Sequence, residues 1–503
     1  MSETKAGLGE RIAVAAAAAV FLELVFFRDG VLIYPFRSGS NGVFLDQAQR
    51  VLDGQVMYRD FFEFVGPGMT HLNALILLVV GRDVGAYGHA MVALGAALAV
   101  LMHGLSCLVA GRDWRLLPPA LFLALVYAPY TFGDHKWPAL AFGLAGLGAL
   151  GRRPLSAARA IRGGLLLGMA GVFTQDLGIG LAAGAVWAHL AARRPLRLVM
   201  LLALACLVPL AGALAFFASK AGLQTVVYDF FVYPFERYPA MNLGLVERTL
   251  PLRTLARELA QLGLAAGGVI GAVAVLRRPE ATAAPQPSPG RLVAWAGLGM
   301  LVPTGYRGLF PLGLAVLTAV LIPLLVALLE RRWRKGRAGL GERGLALLLA
   351  AGVLHGSVGL VVWRQFFGAL VLEEHRAGRI WVSRPLPELT WIESQTVPGE
   401  PALLLPAKGG QYFLSRTRDV TSFPYLIEGQ NTLEQARRAL HEIEAAPPAV
   451  GVWDQRPWLR TAPDTEGPLA ELYRGIRRSY DAEPLPSGVL LLRRKAEVPG
   501  TPR

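Results

Sequence analysis

Cysteine and acid are both scarce in this 503-residue chain: two cysteines, and 36 Asp and Glu against 50 Lys and Arg, with charged residues at only 17%. Cys107 and Cys206 both fall inside apolar runs, which excludes a disulfide framework and a cysteine metal site and makes both read as small buried hydrophobes. A His/Asp metal spacing, a phosphate-cradling glycine loop and a nucleophile elbow are also missing, so an active site fed by a soluble nucleotide has no support. In place of charge stands apolar surface. The chain is 53% hydrophobic with a mean hydropathy of +0.43, the composition of a membrane protein. The net charge of +14 does not point to nucleic acid, because its arginines sit in short separate clusters without interleaved aromatics.

Those clusters (Arg112/Arg115, Arg152/Arg153, Arg193/Arg194/Arg197, Arg277/Arg278 and Arg331/Arg332/Arg334/Lys335/Arg337) separate apolar spans as a positive-inside chain requires. Spans of about 15–25 residues centre near positions 19, 98, 122, 144, 168, 184, 207, 266, 298, 319 and 354, about eleven crossings. The first, Ala13–Phe27, has no small-residue cleavage site behind it and reads as an uncleaved span. Met69–Val80 is apolar but short, and treating it as an interfacial helix keeps every arginine cluster on one side. The N-terminus is then cytoplasmic, and Asp46, Glu63, Asp134, Asp176 and the stretch around Tyr228–Tyr238 lie outside. The fold class expected is an all-α polytopic membrane domain over residues 1–365, with a first outward loop over about 28–85, followed by a small extracytoplasmic α/β domain over 366–503. Pro279–Gly290 is a Pro/Ala linker. Within the C-terminal part, helices are predicted at Thr432–Ala445 and Pro468–Tyr480, and strands at Ala402–Leu405, Ala449–Trp453 and Gly488–Leu492.

Polar chemistry concentrates in the outward loops. Asp46 follows the first span, where a carboxylate can take a proton from an attacking hydroxyl or serve as a solvated helix cap. Asp53, Asp60 and Glu63 share its loop, and Arg59 between Tyr58 and Asp60 reads first as a salt-bridge partner. Asp134-His135-Lys136-Trp137 packs acid, imidazole and ammonium into one tight turn, more than an interface anchor needs. Asp134 could hold an acceptor and Lys136 a phosphate. Thr174-Gln175-Asp176 divides one apolar stretch into two spans with hardly any loop, as a hairpin tip or a wet polar break. Tyr306-Arg307-Gly308 puts a cation at the start of a late span, for a lipid head group or as an ordinary snorkelling arginine. Tyr228, Phe230, Phe231, Tyr233, Phe235 and Tyr238 form an aromatic loop. Glu23 and His103, inside spans, are expected to hydrogen-bond neighbouring helices.

This order of features resembles the GT-C superfamily of membrane glycosyltransferases, and within it bacterial members akin to protein O-mannosyltransferases (family 39) and the aminoarabinose transferase of lipid A. Asp46 matches the acid of the family's first outward loop, Tyr58 its tyrosine stretch, and Gly66-Pro67-Gly68 its proline-opened interfacial helix. Asp134 matches a second-loop acid, Thr174-Gln175-Asp176 the later polar hairpin, and Tyr306-Arg307-Gly308-Leu309-Phe310-Pro311 a basic-Tyr-Pro start of a late span. Two positions depart from the pattern: Gln47 stands where many relatives have a second acid, and Gln175 where a lysine is common. The resemblance implies a bacterial inner-membrane enzyme that moves a hexosyl or pentosyl group from a polyprenyl-phosphate sugar to a glycan, lipid or protein hydroxyl, with inversion. It assigns Asp46 and Asp134 to catalysis and Arg59, Glu63, His135, Lys136, Gln175, Asp176, Tyr306 and Arg307 to substrate binding. No cofactor is implied, a divalent metal being left open. A transporter or lipid flippase is the alternative class, and a non-catalytic assembly or receptor protein a third.

Overall fold

The computed structural model describes residues 7–34, 39–129, 133–151, 155–241, 252–278, 288–306, 311–336, 339–406, 408–427, 431–454 and 467–496. The chain starts with helix α1 (Leu8–Phe26), whose last turn runs into a short hairpin, β1 (Phe27–Arg28) and β2 (Val31–Ile33). The turn between them is Asp29-Gly30 with φ of 50° and 71°, the two positive values that a right-twisted two-residue hairpin needs. An amphipathic helix α2 (Gly39–Leu52) follows, then α3 (Gly68–Val80), opened by Pro67. A proline is cheap there because the first-turn N–H groups have no helical acceptor anyway.

The bundle proper is made of α4 (Val84–Val109), α5 (Leu117–Leu121) with its continuation to Tyr127, α6 (Lys136–Leu150), α7 (Ala157–Phe173), α8 (Gln175–Ala191) and α9 (Leu196–Ala221). After the short α10 (Leu223–Val227) and α11 (Tyr233–Met241), it resumes with α12 (Leu252–Leu276), α13 (Pro289–Tyr306), α14 (Pro311–Arg334) and α15 (Leu340–Leu354). The last of these runs on through α16 (Leu360–Val362) to Phe367. Every predicted span centre falls within one of these helices. Four described helices are long and apolar enough to cross a membrane, Val84–Val109, Leu196–Ala221, Gly313–Arg334 and Arg343–Phe367. The chain is a multi-pass membrane protein by that measure. Leu204, Leu207 and Val208 of α9 are more than half exposed, the side that lipid covers. Helices meet through small residues: a Cβ on Gly299 of α13 would stand 2.2 Å from the Gly180 carbonyl of α8, a closeness only glycine permits. Glu23 of α1 pairs with His89 of α4 at 2.8 Å, and His103 of α4 with Glu10 of α1 at 3.3 Å.

Past Phe367 come the hairpin β3 (Val371–His375) and β4 (Gly378–Val382), α17 (Pro387–Gln395), β5 (Pro401–Leu405), α18 (Gly409–Ser415) and β6 (Arg418–Asp419). The chain finishes with α19 (Leu433–Ala445), β7 (Val450–Asp454), α20 (Pro468–Ser479), β8 (Tyr480–Pro484) and β9 (Val489–Arg494). The second sheet has the order β6-β5-β7-β9-β8, parallel through β6, β5 and β7 and antiparallel beyond. Helix α19 begins with a reciprocal capping box between Thr432 and Gln435. Each helix and strand predicted for this part has its counterpart.

Two features differ from the sequence reading. A first sheet, β1-β2-β4-β3, joins the two ends of the chain, with Leu32 paired to Ile380 in parallel. It crosses the residue-365 boundary drawn from composition. The aromatic stretch after α9 is helical from Leu223 to Met241, not a loop, because Phe230 and Tyr233 turn inward and are buried. Of the Pro/Ala linker, residues 279–287 lie outside the described residues.

Candidate active site

Helix α2 presents Asp46 and Arg50 one turn apart, and both are buried. Arg50 Nε donates to Asp46 Oδ2 at 3.0 Å, while its Nη2 lies 2.6 Å from Asp419 Oδ2 and its Nη1 donates to the Thr421 carbonyl at 2.8 Å. One guanidinium thus serves two carboxylates, one from each end of the chain. Burial, the largest influence, pushes the Asp46 carboxyl up to about 7; Arg50 pulls it down and Asp419 adds to the rise. The Asp419 carboxyl is raised by burial as well. Arg50 holds its proton more firmly than usual: burial opposes the charge, but Asp46 and Asp419 outweigh it. The helix can come this close to the C-terminal part because glycine faces glycine. A Cβ on Gly42 would stand 2.1 Å from the Gly410 nitrogen of α18.

Gln47, on the same helix, donates to Glu63 through its side-chain amide and accepts from the Thr70 hydroxyl of α3 at 2.6 Å. Glu63 also accepts from the Phe64 and Val65 backbone N–H groups at 2.8 Å each, and from the Tyr425 hydroxyl at 3.3 Å. A second acid at position 47 would face the Glu63 carboxylate instead of donating to it, so the departure from the family's paired acids fits this geometry. Burial raises the Glu63 carboxyl despite those donors.

The turn before α6 is the second element. Asp134, His135 and Lys136 are buried, with Asp134 Oδ1 accepting from the Lys136 N–H at 2.9 Å and lying 3.2 Å from His135 Nδ1 and 3.7 Å from Lys136 Nζ. The Phe44 ring of α2 packs on the His135 ring, centroids 5.2 Å apart, which brings the Asp46 helix against this turn. The α7–α8 junction is the third element, a single residue, Thr174, between two helices. Thr174 Oγ1 donates to the His135 carbonyl at 3.4 Å. Gln175 Nε2 bridges the Phe64 carbonyl at 2.7 Å and the Phe230 carbonyl at 3.0 Å.

Asp46, Glu63, Asp134, His135, Lys136 and Gln175 thus fall into neighbouring polar groups along one seam, Asp46 with Arg50 and Asp419, Glu63 with Gln47 and Tyr425, and the 134–136 turn, held together by helix α2, the Phe44–His135 ring contact and the Gln175 bridge. Asp176 is half-buried beside it. Arg59 stays at the surface in a two-point pair with Asp60, at 2.9 and 2.8 Å. The Tyr306 side chain and Arg307 lie outside the described residues. Sequence reasoning passed over Arg50, Asp419, Tyr425 and Asp229. Arg50 had a signal, its i,i+4 spacing from Asp46; the other three gain their meaning only through the fold. Burial pushes the Asp229 carboxyl up to about 7, with Glu63 adding to the rise and Arg438 opposing it. No group of three or more His, Cys, Asp or Glu is placed to hold a metal ion among the described residues.

No protein-family model matches the chain, and no curated protein matches it significantly. Solved structures do match. ArnT from Cupriavidus metallidurans bound to undecaprenyl phosphate aligns over 99% of this chain and 100% of its own, at a TM-score of 0.58 and 14% identity. The same protein in its apo state aligns over 96% of this chain and 97% of its own, at 0.58 and 14%. The Archaeoglobus fulgidus oligosaccharyltransferase in complex with Zn and sulfate aligns over 96% of this chain and 73% of its own, at 0.55 and 14%. Over nearly its whole length, this chain shares the fold of these GT-C glycosyltransferase structures.

Proposed function

We propose that this protein is an integral-membrane glycosyltransferase that moves a sugar from a polyprenyl-phosphate donor to a hydroxyl of an envelope acceptor. The reaction takes place at the extracytoplasmic face of a bacterial inner membrane, with the N-terminus in the cytoplasm. The observation that carries the reading is the seam itself: a carboxyl poised near neutrality, Asp46, on a helix whose Phe44 ring packs against the turn that holds a buried lysine, Lys136, in a fold that ArnT shares while holding undecaprenyl phosphate. A general base works best with a pKa near the working pH, and buried cations meet developing charge more strongly than solvated ones.

In this scheme ionised Asp46 takes the proton of the acceptor hydroxyl. The acceptor oxygen bonds to the anomeric carbon as the bond from that carbon to the phosphate oxygen breaks. The lipid phosphate leaves with the electron pair, and one displacement inverts the centre. Lys136 and Arg307 meet the phosphate charge, with Arg59 at the rim; Asp134 orients the acceptor or shares the base role. Glu63, His135, Gln175, Asp176 and Tyr306 shape the substrate sites, Glu63 and Gln175 by holding the loop before α3 in place.

A radiolabel transfer assay tests this. Purified protein in lipid is offered a panel of polyprenyl-phosphate sugars with envelope extract as acceptor, wild type beside Asp46→Asn. Losing the base is expected to slow transfer by about 10²–10⁴-fold with membrane insertion intact. Undiminished transfer by the variant removes Asp46 from the base role. No donor consumed by folded wild type removes the transferase reading and turns attention to lipid or solute transport.

A further inference from the structure

A cavity of about 250 Å³ opens beside the seam, between three segments: the loop at Tyr58–Phe62, the helical stretch at Thr225–Tyr233, and the start of α19 with Ser422 and Phe423. We infer that this cavity binds a sugar ring of the acceptor, which makes the acceptor a carbohydrate. The role assigned to the cavity rests on the transferase reading above; its chemistry does not.

The walls carry the argument. Phe62, Tyr228 and Tyr233 line the cavity, with Tyr233 edge-on to both neighbours, at centroid distances of 4.8 Å from Phe62 and 6.3 Å from Tyr228. Faces of aromatic rings carry negative charge and attract the weakly positive C–H bonds on one side of a pyranose. Lining the cavity with them is Asp229, only 8% exposed, to whose carboxylate no hydrogen bond is made among the described residues. Adjacent sugar hydroxyls supply two donors at the spacing of one carboxylate. Arg59, Arg438 and Glu434 sit at the exposed rim, where they offer both senses of hydrogen bond and Arg59 adjoins the donor phosphate of the scheme above. Mixed charge suits a polyhydroxyl better than an anion or a cation. The volume equals roughly eight waters at about 30 Å³ each, room for one ring and not for an isoprenoid chain.

Position favours the acceptor over the donor. Six of the fourteen lining residues come from the C-terminal part, which supplies none of the long apolar helices among which a polyprenyl tail must lie; the facing wall continues from one of those helices, α9. The cavity nevertheless backs onto the seam. Gln175 ties the Phe230 carbonyl, next to Asp229, to the Phe64 carbonyl, next to Glu63. Phe62, in the cavity wall, packs against Tyr425, whose hydroxyl reaches Glu63.

The test uses the full chain in lipid nanodiscs and saturation-transfer NMR with methyl glycosides of glucose, mannose, galactose and arabinose. At least one glycoside is expected to receive saturation, strongest on the protons of one ring face, and Tyr228→Ala to abolish it while Tyr228→Phe keeps it. Tyr228 is 40% exposed, so its truncation leaves the core intact. No saturation in wild type, or equal saturation in Tyr228→Ala, overturns the inference whether or not the protein transfers sugar. Where wild type transfers, Tyr228→Ala is expected to raise the KM for acceptor about tenfold with the donor KM unchanged, as loss of ground-state binding does. A rise in the donor KM instead places the donor sugar in the cavity and overturns the acceptor assignment.

Discussion

Arg50 carries an unequal load, one positive charge against two buried carboxylates, Asp46 and Asp419. That excess negative charge, added to burial, is why Asp46 holds its proton up to about 7 and why removing one acid changes the other. The fold prefers protonated Asp46, since its carboxyl is raised from 3.8. Its contribution to stability is therefore complete below the ordinary carboxylate range and lost as pH rises through about 7. In the proposed scheme activity runs the opposite way, because a base must be ionised to accept a proton. The transfer rate is expected to climb as pH passes about 7 and to level off above it. Asp419→Asn keeps the shape of the pair and removes the repulsion, so Asp46 ionises more easily and the acidic limb moves to lower pH. A pH–rate profile of both proteins checks this; an unmoved limb in Asp419→Asn means that some other group controls it.

At the level of elements, the position of α2 depends on its crossing with α18. Gly42 and Gly410 approach until a Cβ on the first would stand 2.1 Å from the nitrogen of the second, and a Cβ on Gly409 would stand 2.6 Å from the Val43 Cα. These contacts are backbone, which cannot rotate away. Gly42→Ala is expected to destabilise by about 1–3 kcal/mol, the usual cost of overpacking, and to lower transfer by displacing Asp46 one turn along. Gly104→Ala is the control: nothing stands within 4 Å of its Cβ, and replacing an interior helix glycine stabilises by about 1 kcal/mol. Thermal denaturation with transfer assays on both variants checks the contrast. The same crossing shows what a sequence can and cannot tell. Long apolar runs located the bundle helices, and helical patterns alternating with short apolar strands located α19, α20 and the core strands of the second sheet, because those signals are local. The turn at Asp134–Lys136 and the junction at Gln175 stood out because charge and amide interrupted apolar runs. Strands of two and three residues have no period to detect, although the Asp29-Gly30 turn was a readable hairpin signal. The pairing of Arg50 with Asp419, Glu63 with Tyr425, and Gly42 with Gly410 spans more than 360 positions, and no local pattern encodes it.

Taken as a whole, the molecule closes on itself at one end of the bundle. Residues 368–503 are tied to the first 70 residues by a parallel strand pair, Leu32 with Ile380, by the glycine crossing, and by the Arg50–Asp419 and Tyr425–Glu63 contacts. Those residues also have cores of their own, around Leu403, Trp453 and Leu492 and around Ile392, Tyr412 and Val452. Ile380, Leu389, Phe413, Leu414 and Tyr425 of this part in turn share the core of the bundle, and two consequences follow. A chain ending at Phe367 retains its long apolar helices and is expected to insert. It leaves β2 without a neighbour on one side and Asp46 in a plain pair with Arg50. The segment from Gly39 to Pro67, which carries Asp46 and Glu63, then has lost every contact that the C-terminal sheet provides. Limited proteolysis within residues 39–67 is expected to speed up, and sugar transfer to be lost, in the truncated protein. An accessory role for the C-terminal part makes the opposite forecast: transfer at the wild-type rate with 39–67 still protected. Because insertion is unaffected in either case, the two outcomes separate a C-terminal part that completes the catalytic surface from one that only sits beside it.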